Sequence, residues 1–325
     1  MFEKISKQLN LGDYICSEAI NGGFTNKMYK LTTNQGIFAI KMINADNIQK
    51  NPLLLDQIEH SEEIANIALQ NGVNAISALK INNQFIQDIA GMKFLVYKWS
   101  NGQILLTKEL TLEHVAKAAI QLARLHHIKV DNKPLINKYL KIDFYKYYNL
   151  LKDNQEEWSE LFRNNIDYLC TLYNDVYACY LKISDNYAYV HKDFNRRNIL
   201  WEKDIPYVID WETATIDHPM LDFFNSAWFL TNDVQPDKYQ VFVKKYLEIM
   251  PFEDDFNIVI NAAIIEECNW LEFSLKRALK MHSQDQTEIE LGKASIKSSL
   301  KEIMNYYQKI PLMKQIVEEV QSANK

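Results

Sequence analysis

Apolar and polar positions alternate over the first hundred residues and recur at helical spacing over most of the rest. Residues 14–20 read as a strand, Asn21-Gly22-Gly23 as a turn and residues 27–32 as the returning strand. A second turn at Asn34-Gln35-Gly36 leads into residues 37–43, the strongest strand pattern in the chain. One helix is predicted over residues 53–70, stopped by Asn71-Gly72 as its C-terminal cap. Residues 84–88 and 92–99 then form a hairpin around Ala90-Gly91.

Beyond Gly102 the period changes to that of helices. Residues 112–127 are helical by apolar spacing, residues 144–182 hold one or more amphipathic helices, and nearly everything after Asp222 reads as helix. The pattern predicts an α+β protein: a small strand-rich N-terminal lobe over residues 1–98, a short connection near Tyr97 to Gly102, and a larger helical lobe over residues 99–325. A cleft between two such lobes is a common place for a ligand.

Composition narrows the partners. Of 325 residues 47% are hydrophobic and 24% charged, ordinary values for a folded soluble chain. A formal net charge of -6 speaks against nucleic acid or an anionic membrane as the main partner. The four cysteines, Cys16, Cys170, Cys179 and Cys268, show no metal-ligand spacing and read as reduced thiols. The first ten residues hold no apolar core, and the longest apolar run, residues 258–265, is interrupted by Asn261 and too short to span a bilayer. A cytoplasmic location is expected; the oligomeric state is not set by these features.

Chemistry concentrates in one segment. Residues 187–190 read as a strand end, followed by the polar run His191-Lys192-Asp193-Phe194-Asn195-Arg196-Arg197-Asn198. Ile199-Leu200-Trp201 and Tyr207-Val208-Ile209 then form a hairpin whose turn is expected over residues 202–206. Such a hairpin brings Asn198 and Asp210 together, both facing Asp193. Two carboxylates and an amide oxygen suit magnesium, which prefers hard oxygen ligands and keeps phosphate oxygens in its shell.

The spacing His-x-Asp-x-x-x-x-Asn, then Asp after a hairpin, resembles the catalytic and metal-binding loops of protein kinases. With Ile209-Asp210-Trp211-Glu212 and then His218-Pro219-Met220-Leu221-Asp222, it is more similar to the aminoglycoside phosphotransferase and choline kinase families. The resemblance implies a protein-kinase-like fold, ATP and Mg2+ as cofactors, Asp193 as the base that positions an acceptor hydroxyl, and Asn198 and Asp210 as metal ligands. It makes Asp222 a structural residue at a helix start. Lys192, where those families most often have Gly, and Arg196-Arg197 depart from the pattern; both arginines are expected in solvent.

A matching half is expected upstream. Alternation puts Ile37, Ala39, Lys41 and Ile43 on one strand face, where a lysine is costly unless paired. Phe38-Ala39-Ile40-Lys41 resembles the kinase element whose lysine meets the α and β phosphates. Glu62 alone interrupts the apolar stripe Leu55, Ile58, Ala65 and Leu69 and is the acid expected to pair with Lys41, while Glu59 and Glu63 fall on a solvated face. The loop containing Gly22, Gly23, Thr25 and Asn26 would cover the phosphates, its glycines admitting backbone N–H groups to an anion. Adenine would bond the connecting backbone from Lys98 to Ser100.

The leading reading is a phosphotransferase moving the γ-phosphoryl group of ATP to a hydroxyl of a small molecule. Choline, ethanolamine, a sugar or an aminoglycoside all stay open as acceptors, as does a non-catalytic nucleotide-binding protein of the same fold. Glu266, Trp270 and Phe273 share a helical face, and an acid with aromatics suits an amine-bearing acceptor. The alternative there is an amphipathic helix with Trp270 in the core. Trp211 and Glu212, flanking the metal aspartate, are further candidates to line the acceptor site.

Overall fold

A computed structural model describes residues 1–20, 26–130, 138–282 and 284–323 of the chain. It divides into two units, residues 1–129 with 188–216 and residues 130–187 with 217–325.

The first unit holds a sheet of five strands: β1 (Tyr14–Ile20), β2 (Lys27–Thr33), β3 (Gly36–Met42), β4 (Gln87–Ile89) and β5 (Met92–Lys98). They lie in the order β1-β2-β3-β5-β4, with every neighbouring pair antiparallel. Four helices accompany them: α1 (Phe2–Gln8), α2 (Ala45–Lys50), α3 (Leu54–Gln70) and α4 (Leu112–His126). Neither α1 nor α2 was expected. Each is too short, at 7 and 6 residues, to show a helical period, and α2 buries no residue.

Both faces of β3 are used. Ile40 packs with Ile5 of α1, Leu31, Phe94 and Val96, and Phe38 and Met42 extend that cluster. On the opposite face Ile43 joins Ile58, Phe85 and Leu95 under α3. Each such fully buried apolar side chain contributes about 1.5–3 kcal/mol, so the strand bearing Lys41 is fixed from both sides. β4 is shorter than the sequence predicts for a physical reason. The Glu59 carboxylate accepts the N–H groups of Phe85 (3.1 Å) and Ile86 (2.7 Å), which removes them from the ladder. Glu59 is thus an interior cap rather than a solvated acid. Leu69, expected on the apolar stripe, is 49% exposed. At the end of α3, Gly72 takes φ +84, the left-handed conformation that closes a helix at little cost.

The same unit carries β6 (Ala188–Val190), β7 (Ile199–Glu202), β8 (Ile205–Val208) and β9 (Thr215–Asp217). β6 pairs β9, and β7 pairs β8 as a hairpin. The hairpin turn is tighter than expected, because Glu202 pairs Ile205 and Trp201 pairs Pro206. Only Lys203 and Asp204 remain in it, both at positive φ (47° and 62°), as a type I′ turn requires. Pro206 is tolerated because a two-stranded ribbon has no inner strand.

The second unit is helical: α5 (Phe144–Leu150), α6 (Glu157–Asn164), α7 (Ile166–Tyr180), α8 (Pro219–Leu230), α9 (Pro236–Leu247), α10 (Phe256–Ala262), α11 (Ile265–Ala278) and α12 (Gln286–Ala323). The stretch 144–182 thus resolves into three helices. α12 packs tightly on α11 at Gly292, where a Cβ would lie 2.8 Å from Ala278 N and 2.9 Å from Ser274 O. Among the described residues no helix is long and apolar enough to cross a membrane.

Candidate active site

The segment after β6 folds around its own amides. Lys192 turns the chain at φ 63°, and the Asn195 side chain accepts the Arg197 N–H (2.9 Å) to start a single 3-10 turn over Arg196–Asn198. Asn195 Nδ2 donates to Asp193 Oδ1 (2.5 Å) and Asn198 Nδ2 to Asp193 Oδ2 (2.7 Å), so each carboxylate oxygen is held by a different amide. Asn198 Nδ2 also reaches Asp193 O at 2.9 Å. Loss of solvent around the Asp193 carboxyl pushes its pKa above the ordinary aspartate value, and the charge of Asp210 pushes the same way; His191, the Asn198 amide and Arg197 pull back.

A second segment is clipped to the first. Ile209 N–H donates to Asn198 O (3.0 Å), and Thr213 Oγ1 donates to His191 O (2.9 Å). His191 is fully buried, with Nε2 on Ile209 O (3.1 Å) and Nδ1 accepting from Asp193 N–H (3.3 Å). A carbonyl can only accept, so Nε2 carries the proton in that bond. His191 is therefore a structural member of the loop, as its sequence context predicts.

Lys41 comes up from β3 with its side chain 14% exposed and places Nζ 2.9 Å from Asp210 Oδ1 and 2.6 Å from Glu212 Oε1. Burial pulls its pKa down, but Glu212 and then Asp210 outweigh that and leave it above the usual lysine value. Glu62 is buried on α3, as its phase predicts, yet it is not the residue bonded to Lys41. Its oxygens accept Ala78 N–H (2.8 Å) and the Tyr97 hydroxyl (2.5 Å). Two carboxylates on one side of the ammonium attract it more than one carboxylate already carrying two hydrogen bonds. Burial raises the Glu62 pKa, and these two bonds and the nearby Lys41 charge reverse only part of the rise. Tyr97, buried against Glu62, is pushed well above the usual tyrosine value.

Two further expectations change. Trp211 does not line a ligand site: it is 2% exposed, donates Nε1–H to Val208 O (3.1 Å) and lies with its ring 4.8 Å from His191. An indole at that depth is core. Glu212 belongs with the ammonium of Lys41, and its Oε1 also accepts from Asn26 Nδ2 at 3.0 Å. The sequence signal for this was its place two residues after Asp210, within reach of the same strand face. Gly22, Gly23 and Thr25 lie outside the described residues.

Asn198 spends its Nδ2 on Asp193, which turns its Oδ1 away from that residue, and Asp210, at φ 60°, presents a carboxylate 44% exposed. Both are hard oxygens. Among the described residues no group of three or more His, Cys, Asp or Glu side chains forms a self-sufficient metal cage. Such a pair fits a cation that takes one or two protein ligands and completes its shell from phosphate and water. At the end of β5, Trp99 N–H donates to Ile37 O (3.1 Å), which places Lys98 opposite Phe38 at a non-hydrogen-bonded pair. The Lys98 N–H and C=O therefore point away from β3. Ser100 Oγ instead accepts Gly102 N–H at 3.1 Å.

Within the helical unit, Glu266 accepts from Asn225 Nδ2 at 3.0 Å. Trp270 is 46% and Phe273 38% exposed, with ring centroids 5.3 Å apart. This overturns the alternative in which Trp270 sits in the core. Asp222 is 3% exposed in the first turn of α8.

A family model described as "Phosphotransferase enzyme family" matches residues 17–256. No curated protein sequence matches the chain. Among solved structures, spectinomycin phosphotransferase in complex with ADP and spectinomycin aligns at TM-score 0.64 and 16% identity, covering 94% of this chain and 98% of that one. Ethanolamine kinase of Plasmodium vivax aligns at 0.58 and 18% identity, covering 87% and 81%. Choline kinase from Cryptosporidium parvum Iowa II aligns at 0.53 and 17% identity, covering 93% of each chain. At such identities the likeness is one of fold, the kinase-like fold.

Proposed function

We propose that this chain, which belongs to the phosphotransferase enzyme family, is a small-molecule kinase with a hydroxyl acceptor, that its donor is ATP, and that Asp193, Lys41, Asn198 and Asp210 carry the transfer. The observation that supports this most is the clamp on Asp193. Two amides fix both of its oxygens, and the same Asn198 connects it through Ile209 to the Lys41–Asp210 pair.

In this reading the acceptor hydroxyl donates a hydrogen bond to Asp193 and is oriented for in-line attack on the γ-phosphorus. Its oxygen forms the new P–O bond while the bond to the β-phosphate oxygen breaks, and Asp193 takes the proton. A carboxyl held above its ordinary pKa is the better proton acceptor. Lys41 exchanges its carboxylate partners for phosphate oxygens, with Glu62 behind it as a buried acid. Asn198 Oδ1 and Asp210 would hold magnesium, which supplies charge neutralisation for the transferring group. The edge of β5 at Lys98 offers backbone groups to adenine, and Gly22, Gly23, Thr25 and Asn26 cover the phosphates. The two lobes, residues 1–98 and 99–325, would divide nucleotide binding from acceptor binding.

The acceptor is an amine-bearing alcohol in this proposal, recognised by Glu266, Trp270 and Phe273 of α11. An exposed aromatic pair beside a carboxylate attracts an ammonium by charge and by the ring quadrupole. The neighbours named for spectinomycin, ethanolamine and choline are consistent with that class. An ADP-release assay with Mg-ATP over aminoglycosides, choline, ethanolamine and neutral sugars tests it. Stimulation by an amine-bearing class is expected. Stimulation by neutral sugars alone would remove the acceptor assignment, and Mg-ATP binding with no release on any acceptor would make the chain a non-catalytic nucleotide binder.

A further inference from the structure

The first unit contains a cavity of about 410 Å³ that borders the phosphate side of the proposed site and shares Asn26 and Glu212 with it. It lies between the α2–α3 turn and the residues after Asp210, and its size falls in the range of small-molecule sites. Ile43, Leu54 and Ile58 supply its apolar wall. Lys50, at the last position of α2, and Asn47, one turn earlier, supply polar groups. Among the described residues neither the Lys50 ammonium nor the Asn47 side chain has a hydrogen-bond or ion-pair partner. Glu212 closes another side, but its carboxylate is already engaged by Lys41 at 2.6 Å and by Asn26 at 3.0 Å. Leu54 opens α3, whose first N–H groups are already taken, Leu53 N–H by Asn51 Oδ1 (3.1 Å) and Leu54 N–H by Asn51 O (3.1 Å). Asp56 on the first turn is exposed and does not line the cavity.

An apolar wall, the exposed Lys50 ammonium without a partner among the described residues, and a spare amide together point to one ligand chemistry. We propose that this cavity is an effector site for a small organic acid, a carboxylate on an apolar chain or ring. The carboxylate meets Lys50 and Asn47, and the apolar part covers Ile43, Leu54 and Ile58. Its occupant touches Glu212, the carboxylate that holds Lys41. Binding at the cavity stands by itself; its effect on turnover rests on the function proposed above.

Calorimetric titration of the full-length chain with octanoate tests the site, with octylamine as the same chain of opposite charge. Octanoate is expected to bind at one site per chain and octylamine about tenfold more weakly or worse. Lys50→Met should weaken octanoate about tenfold, and Leu54→Trp should abolish it by filling the cavity. Should Leu54→Trp fail to fold by circular dichroism, the Lys50→Met result decides. No saturable octanoate binding, equal binding of octylamine, or binding indifferent to the folded variants overturns the site. In the ADP-release assay, saturating octanoate should change the rate in wild type and leave it unchanged in Leu54→Trp. An unchanged wild-type rate overturns the effector role while the binding result stands, and a protein with no ADP release at all fails the functional reading alone.

Discussion

The segment 191–213 and the exposed face of α11 solve opposite problems. In the first, polar atoms are fixed by other polar atoms. Asp193 is gripped by Asn195 and Asn198, His191 by Ile209 and Thr213, and Lys41 by Asp210 and Glu212. In the second, Trp270 and Phe273 stand 46% and 38% exposed, and among their helix neighbours Glu266 is tied to Asn225. The clamp on Asp193 is local in sequence, within five residues, while the bonds of His191 and Lys41 join distant segments. A site that must choose a partner presents surface. In the proposed reading the first region carries the chemistry and the second the choice of acceptor.

Four substitutions sharpen or break that contrast, in falling order of effect. Lys41→Met removes the ammonium facing Asp210 and Glu212 and should lower kcat by about a hundred- to a thousandfold with the fold intact. A loss within a factor of about two would place phosphate stabilisation elsewhere. Trp270→Ala should raise KM for the acceptor by about tenfold and leave kcat and KM for ATP unchanged. If kcat falls instead, the α11 face is part of the reacting centre and the contrast fails.

Gly292→Ala tests whether α11 is held as tightly as the contrast supposes. Its new methyl meets backbone at 2.8 and 2.9 Å, so α12 must shift, at a cost of about 1–3 kcal/mol and a lowered Tm. An unchanged Tm would mean that the crossing is loose. Asp254→Asn has the smallest effect. Burial pushes the Asp254 pKa up, but bonds from Ser184 and His218 outweigh it and leave the carboxyl below its usual 3.8. A depressed carboxyl adds stability above that pH and loses it as pH falls through the folded value. The difference in urea midpoint between wild type and Asp254→Asn should therefore narrow on acidification below about 3.8. A constant difference would show that the bonds, not the charge, carry its contribution.

Much of this was legible because local pattern decides it. The register of β3, with Lys41 opposite Ile40 in side-chain direction, follows from alternation alone, and Glu62 follows from helical phase. What alternation cannot supply is the partner across space. Glu62 is buried as predicted, but Tyr97 and Ala78, distant in sequence, take its oxygens, and Lys41 turns to Asp210 and Glu212. Trp211 was misplaced for the same reason: adjacency to Asp210 says nothing about which side of the backbone the indole takes. Glu59 illustrates the converse case. A charged residue on a polar face reads as solvated until loop N–H groups arrive to be capped. α1 and α2 were too short to carry a period at all.

In the proposed reaction Asp193 orients and deprotonates the acceptor. Steady-state turnover and nucleotide affinity of Asp193→Asn measure it most directly. The substitution keeps the shape that Asn195 and Asn198 hold and removes the base. A fall in kcat of about a thousandfold is expected, with ATP affinity within a factor of about two of wild type. Near wild-type phosphorylation by Asp193→Asn would contradict it.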